Sequence, residues 1–516
     1  MKKMILIALI PITFVTAGSF VMSKGNPLIK ADTTTIDTGT DTTTTYSDWT
    51  PADLPTQKFN VLEYGLKGDG TTDDSNALNE LAKNTNVTNW YFPAGYTFLI
   101  KNIKIPTHLK AIFGGGKIRA KANTSSNGSA GGPILFTHTI NGIIIDNLYF
   151  EAENKPYPGS QADKENGVVY PNYWPYEDHG YVGPSGNLWR MGGHILIDGF
   201  NNKNNIEIRN CTFDMTHFKY SGIKGFGNKA GGGGGKLTNL HIHHNDFKNY
   251  GEFGIEIIDL ERVPDGSGHN VTGLRINNNT MYNNGGGMAI SLVLLRAGVG
   301  NTGKIDGTEN RVYENIVDNA SWALEYSGSS GLYVYNNKFT NIKKKMFLAS
   351  QGWKITAIGK NFIYNNHLTE KYIGYETQWS INNNDEYYGN YISGHIIINE
   401  GKDDLHDYFG NFHDNTIVLN NSASTWTEIM IINKRHNGII ANNDFYAGSN
   451  VSRGVNFPYN AGGSNTIIKN NKFHMKKNTA ICVDDSNNQA LESGTVCNKG
   501  WTGTIPISRP GAGLSN

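Results

Sequence analysis

One asparagine recurs down this chain in a fixed setting, with an apolar residue three positions before it and another two positions after. The column reads Asn245, Asn279, Asn315, Asn337, Asn366, Asn390, Asn415, Asn443 and Asn471. Ile242, Ile276, Val312, Val334, Ile363, Tyr387, Phe412, Ile440 and Ile468 precede it, and Phe247, Met281, Val317, Phe339, Leu368, Ile392, Ile417, Phe445 and Phe473 follow. Two earlier rows, Ile208/Cys211/Phe213 and Ile145/Leu148/Phe150, keep the frame without the asparagine. Successive rows lie about 22 to 36 residues apart, the period of a solenoid.

The rows are rich in Ile, Val, Tyr and Phe and alternate with period two, as in Ile206 to Arg209 and Leu240 to His243. That is a strand pattern, and sustained helical periodicity is missing. One such repeat cannot bury its inner face alone. Coiling the repeats in register closes a core and stacks each strand on its counterpart at about 4.8 Å. An asparagine in every coil can then pass amide hydrogen bonds up the stack. The expected fold is therefore all-β, a single parallel β-helix.

The 516 residues carry 45 basic and 45 acidic side chains, so nothing in the charge supports nucleic-acid binding. Lys2 and Lys3, the apolar run from Met4 to Val15 and the small residues ending at Ala17 read as a secretory signal. Cleavage is expected after Ala17 or Ala31, and the run is too short for a stable membrane span. Residues 32–56 read as a Thr/Asp-rich linker, 57–480 as the β-helix and 481–516 as a C-terminal cap or tail. Cys211 falls at an inward position, and whether Cys482 and Cys497 pair is open.

Phe59 to Asp74 (FNVLEYGLKGDGTTDD) leads into Ser75 to Ala82, a short amphipathic helix. Tyr91 to Tyr96 (YFPAGY) and Phe113 to Lys117 (FGGGK) follow. This series closely resembles the opening of the pectate-lyase-like superfamily of right-handed β-helices. That group includes rhamnogalacturonase/epimerase-like proteins and many phage tailspikes. The resemblance implies a short helix capping the open end of the solenoid, and processing of an extracellular polysaccharide. It leaves the chemistry open, because hydrolases, lyases, epimerases and non-catalytic binders share the fold. It also leaves open a monomer or a homotrimer. Asp69, Asp73 and Asp74 suit turn formation and helix capping, with calcium as the other reading. No other cofactor is expected.

Between the asparagine rows runs a second strand type: Gly222 to Gly225, Gly254 to Ile257, Ala289 to Leu292 and Ala323 to Tyr326. Its third residue should point outward, giving the column Lys224, Glu256, Ser291, Glu325. Glu256 and Glu325 would lie two coils apart, about 9.5 Å between backbones. Carboxyl groups about 6.5 to 9.5 Å apart suit inverting glycoside hydrolysis. Glu252 and Asp259, on or beside the Glu256 strand, are substitutes for either acid. Lys224 would hold Glu256 ionised. The polygalacturonase-like branch carries Asn-Thr-Asp and Gly-Asp-Asp rows at such strands. Here those stretches read Lys219 to Ile223 (KYSGI) and Tyr250 to Gly254 (YGEFG), so no residue is carried over from it.

A rival face lies on the asparagine-row strands. There Arg275 and Arg311 would sit on adjacent coils, beside His241 and His243. Guanidinium forks neutralise a uronate carboxylate and a histidine can take the adjacent proton, which is β-elimination. His241 to His244 lacks a fixed acidic partner for a metal, and no metal is expected there. The segment from Tyr157 to Trp189 breaks the repeat and is dense in aromatics, including Tyr173, Trp174, Tyr176 and Trp189. Aromatic faces suit sugar rings, so this segment is a candidate wall of a glycan groove. The chain reads as a secreted polysaccharide hydrolase. Its alternatives are a uronate lyase and a non-catalytic glycan-binding surface protein.

Overall fold

The structure is a computed structural model. It describes residues 52–121, 132–153, 180–182, 188–190, 193–216, 221–227, 235–259, 270–283, 287–295, 309–343, 345–348, 360–370, 378–379, 385–398, 410–420, 427–432, 438–457, 466–485 and 490–508. The expected signal segment and residues 32–51 of the expected linker lie outside these.

Each coil lays down three strands, one in each of three stacked faces, here sheets A, B and C. In one coil these are Lys203–Arg209, Thr212–Asp214 and Ser221–Gly227. In the next they are Leu237–His243, Asp246–Lys248 and Phe253–Asp259. The two coils pair in parallel, Ile208 against Ile242, Phe213 against Phe247 and Ile223 against Ile255. Among the described residues, sheets A and B hold fifteen strands each, and face C is built from an eight-stranded and a five-stranded sheet. This is the parallel β-helix that the repeat demands.

The turn from sheet A to sheet B explains the repeat. Its first residue takes a left-handed backbone, φ 53° at Asn210, 54° at His244 and 55° at Asn336. Asparagine tolerates that region better than most side chains. Its second residue is the repeating asparagine. The Asn337 amide donates to the Asn366 side-chain oxygen at 3.0 Å and to the Val312 carbonyl at 2.9 Å. Its own side-chain oxygen accepts from the Asn315 backbone and amide, both at 3.0 Å. The same pattern joins all nine asparagines from Asn245 to Asn471. Cys211, buried as its position implied, enters the ladder by donating its backbone N–H to Asn245.

Inside the coils, like side chains stack. Phe150, Phe213 and Phe247 form a column with ring centroids 4.8 and 4.7 Å apart. At the N-terminal end the helix Ser75–Leu81 lays Leu78 and Leu81 onto the core. Asp74 accepts from the Lys67 and Gly68 backbones, Asp73 from the Ser75 backbone and the Lys121 ammonium. Asp69 gathers the Thr71 and Thr72 backbones and hydroxyls. Each of the three acids thus serves a turn or the helix start.

At the other end, strands Ile481–Asp484, Ala490–Ser493 and Val496–Lys499 pair in register with the coil before them. The expected boundary at residue 480 therefore falls inside the stack, because the apolar frame runs on weakly where the asparagine stops. A disulfide joins Cys482 to Cys497 across this last coil, with Cα atoms 5.9 Å apart. Trp501 then packs on Tyr446 and His474, and the Tyr391 hydroxyl donates to the Pro506 carbonyl at 3.0 Å. Among the described residues, no helix is long and apolar enough to cross a membrane.

Two outcomes test this account. Asn337→Ala strands two buried donors of Asn315 and should cost about 3 kcal/mol in thermal or denaturant unfolding, while Asn336→Gly, at a left-handed position, should be near neutral. Reduction of the disulfide, which closes a 15-residue separation, should destabilise the terminal coil by about 3 kcal/mol. Hydrogen exchange should then rise first in residues 481–499.

Candidate functional site

Six strands of sheet C frame the site: β1 (Gly193–Ile197), β2 (Ser221–Gly227), β3 (Phe253–Asp259), β4 (Met288–Val293), β5 (Trp322–Glu325) and β6 (Lys345–Leu348). Register places Lys224 against Glu256, Glu256 against Ser291 and Ser291 against Glu325. The four side chains thus form one column on the outer face, and in backbone register Leu196 pairs with Lys224 and Leu348 with Glu325. Strands β2, β3 and β4 are buried at nearly every position, so this outer face is itself largely covered.

The two glutamates meet different surroundings. The Lys224 ammonium lies 2.6 Å from Glu256 Oε2, and the Ser221 hydroxyl donates to the same oxygen at 3.1 Å. Both contacts fall on Oε2. Among the described residues, no cation pairs with Glu325. The Ser291 and Ser327 hydroxyls donate to its two oxygens at 2.8 Å each. Burial pushes the Glu325 carboxyl above the usual range, and the Glu256 charge adds to the rise against those two bonds. Two carboxyl groups on one face are thus set apart by environment, one salt-bridged and one biased toward its proton.

The substitutes fall elsewhere. Asp259, at the end of β3, is buried and accepts from the Asn270 backbone at 3.1 Å and amide at 3.2 Å. Glu252 precedes β3, half-buried, and its carbonyl accepts from the Met288 N–H. Neither joins the column.

On sheet A, Arg275 and Arg311 are neighbours in register, below Tyr333 and above His241. Arg311 is buried and bound to Glu309 at 2.5 Å. His241 and His243 are buried and stacked with centroids 4.0 Å apart. His243 bonds Glu207 at 3.0 Å and His241 bonds Asn277 at 2.7 Å. Glu207 in turn holds Arg209, which reaches Asp146. Burial, with the nearby His243 and Arg275 charges, pushes His241 down to about 3. Asp146, Arg209, Glu207 and His243 are thus linked across coils, while Arg311 is paired within its own coil to Glu309. Further along, Tyr313, Tyr335, Tyr364 and Tyr388 stack about 5 Å apart, a ladder that braces the sheet.

Tyr173, Trp174 and Tyr176 lie outside the described residues. Trp189 falls on Leu188–Arg190, which pairs antiparallel with Gly180–Val182. Among the described residues, no group of three or more His, Cys, Asp or Glu side chains could hold a metal ion.

Sequence reasoning missed Ser221, Ser327, Phe253 and Trp322. Strands β2 to β5 each open with one outer residue followed by two consecutive inward ones, which breaks strict alternation. In β5, Ala323 and Leu324 both belong to the core, as do Ala289 and Ile290 in β4. The first residue of each strand therefore shares the outer face with the fourth. The repeated apolar pair was the available signal.

The chain matches no protein-family model and no curated protein. Its fold is found among solved structures. The A-module of the mannuronan C-5 epimerase AlgE6 from Azotobacter vinelandii is 12% identical, over 85% of this chain and 99% of that one, with a TM-score of 0.51. A DFA-IIIase from Arthrobacter chlorophenolicus is 13% identical, over 87% and 99%, at 0.46. The Streptococcus pneumoniae surface adhesin PfbA is 14% identical, over 87% and 93%, at 0.40. The likeness is one of fold, the parallel β-helix.

The ion pair on the column has a measurable consequence. Both side chains are almost wholly buried, Lys224 at 3% and Glu256 at 6% exposure. Lys224→Met should therefore cost about 3 kcal/mol or more at neutral pH by stranding a buried carboxylate. The double variant Lys224→Met/Glu256→Gln should recover much of that loss in thermal unfolding.

Proposed function

We propose that the protein hydrolyses glycosidic bonds of an extracellular polysaccharide, with Glu325 as general acid and Glu256 as general base. The observation that carries this is the outer column of sheet C, where the two acids stand in register two coils apart in unlike surroundings. Export through the N-terminal signal and action without a cofactor complete the reading. The fold is shared with a module that acts on mannuronan, which fits a polysaccharide substrate without specifying it.

Two strand spacings put the backbones about 9.5 Å apart, room for a water between the acids and the sugar, and hence inversion. Glu325, biased toward its proton, donates to the leaving oxygen. Glu256 takes a proton from water through Oε1, the oxygen opposite the one that Lys224 and Ser221 contact. Lys224 balances the Glu256 charge, so that the like charge acting on Glu325 stays limited.

Purified protein should be screened on neutral and uronate polysaccharides, reading reducing ends and unsaturated products together. Reducing ends without unsaturation are expected. Unsaturated products would instead indicate elimination, and binding without turnover a non-catalytic protein. On a cleaved glycan, Glu256→Gln and Glu325→Gln should each lower kcat about 10²- to 10⁴-fold; full activity in both would end this assignment.

The Glu325 shift also has a sign. Its folded pKa lies above the unfolded value, so its contribution to stability is present at acid pH and is lost as pH rises through the folded value. Activity should fall along the same limb as the acid loses its proton. Glu325→Gln should flatten the pH dependence of the melting temperature over that range.

A further inference from the structure

Among the described residues, the buried glutamates Glu207, Glu256 and Glu309 each hold a lysine or an arginine. Glu325 is met differently. The Ser291 hydroxyl donates to its Oε2 and the Ser327 hydroxyl to its Oε1, both at 2.8 Å, so each carboxyl oxygen has its own serine. Ser291 reaches it from β4, one coil before, and Ser327 from two residues further along the chain. Both serines are buried, at 1% and 0% exposure, so bulk water does not readily take the place of either hydroxyl. The charged residues on the neighbouring strands of sheet C are Glu256 on β3, balanced by Lys224 on β2, and Lys345 on β6, whose register partner is Trp322. Strand β4, between the two acids, carries none.

A neighbouring cation favours only the ionised form of a carboxyl, and a backbone N–H can only donate. A hydroxyl has one hydrogen and two lone pairs, so it donates to a carboxylate and accepts from a carboxylic acid. We infer that Ser291 is a positioning residue for the reaction, its hydroxyl holding Glu325 Oε2 in both protonation states while Ser327 fixes the other oxygen. Glu325 then gives up its proton and regains it in one orientation, and Oε2 keeps its partner in either form. The bond to the charged form is the stronger of the two, so the same hydroxyl also sets how readily the proton leaves. This inference deepens the hydrolase reading and rests on it for the identity of the general acid.

The test follows the Glu325 carboxyl itself, by infrared difference titration of its C=O stretch against Glu325→Gln, together with the pH profile of kcat on a cleaved glycan. Ser291→Ala removes a bond that favours the charged form, so the Glu325 midpoint should rise by about one pH unit. The alkaline limb of activity should move up by the same amount, and kcat at the plateau should fall about tenfold with KM little changed. Ser291→Thr keeps the hydroxyl and should bring the midpoint back toward that of the parent. Ser327→Ala should also raise the midpoint and decides the matter if Ser291→Ala fails to fold. A serine that only supported the fold would lower the melting temperature and leave the midpoint in place. The inference is overturned if neither folded alanine variant raises the midpoint, or if Ser291→Thr titrates like Ser291→Ala. Full turnover by Glu325→Gln, or no cleaved glycan at all, would remove the hydrolase reading, and the infrared midpoint would still decide whether the hydroxyls govern the Glu325 proton. Turnover lost in Glu325→Gln with an unmoved midpoint in the serine variants would do the reverse.

Discussion

The constraint on which this molecule depends is register. A coil that slipped by one residue would turn every inward side chain outward, and the cylinder could not close. The asparagine ladder opposes that slip. Each Asn serves the backbone of one coil and the amide of the next, so its bonds are made only when neighbouring turns align. Buried polar groups that go unmet are costly, and the ladder meets them in nine successive coils. Residues far apart along the chain thereby become neighbours at one strand spacing. Lys224, Glu256, Ser291 and Glu325 owe their shared column to this alignment.

Polar groups buried outside the ladder follow the same logic of mutual satisfaction. Asn361 donates its amide to Asp385 and to the Ser329 carbonyl, and accepts from the Leu332 backbone, forming a shorter ladder at another corner. Asp385 also accepts from the Tyr326 hydroxyl, which bonds Tyr387 inside the core. The Glu207 network on sheet A is a third case. Such groups have their hydrogen-bonding capacity spent on structure. Glu256 differs, because Lys224 and Ser221 both contact one of its oxygens, and Glu325 differs because two serine hydroxyls meet it. That contrast is why sheet C, and not the more heavily charged sheet A, carries the functional proposal.

The periodic part of the fold could be read directly from the chain. Apolar residues spaced around one asparagine specify two strands and the tight turn between them, and their recurrence specifies the stack. The lysine–glutamate–serine–glutamate column followed from alternation within the second strand type. Alternation misled at the corner, where two inward residues in succession bring Phe253 and Trp322 onto the outer face. It could not reveal that Arg311 is held by Glu309, since that pairing depends on side-chain reach between positions of the same strand face. Nor could it rank Asp259 against Glu256. Asp259 is drawn away by Asn270, which lies at the far end of a connector whose course local pattern does not encode.

The sequence by itself determined the coil, its period, the ladder and the column from Lys224 to Glu325, because these follow from short-range alternation repeated many times. Only the tertiary structure decided which of the charged groups on those faces neutralise each other. Charge pairing depends on distances of a few ångströms between coils, and on burial that changes how strongly each charge is felt. Neither quantity is written in the spacing of residues along the chain.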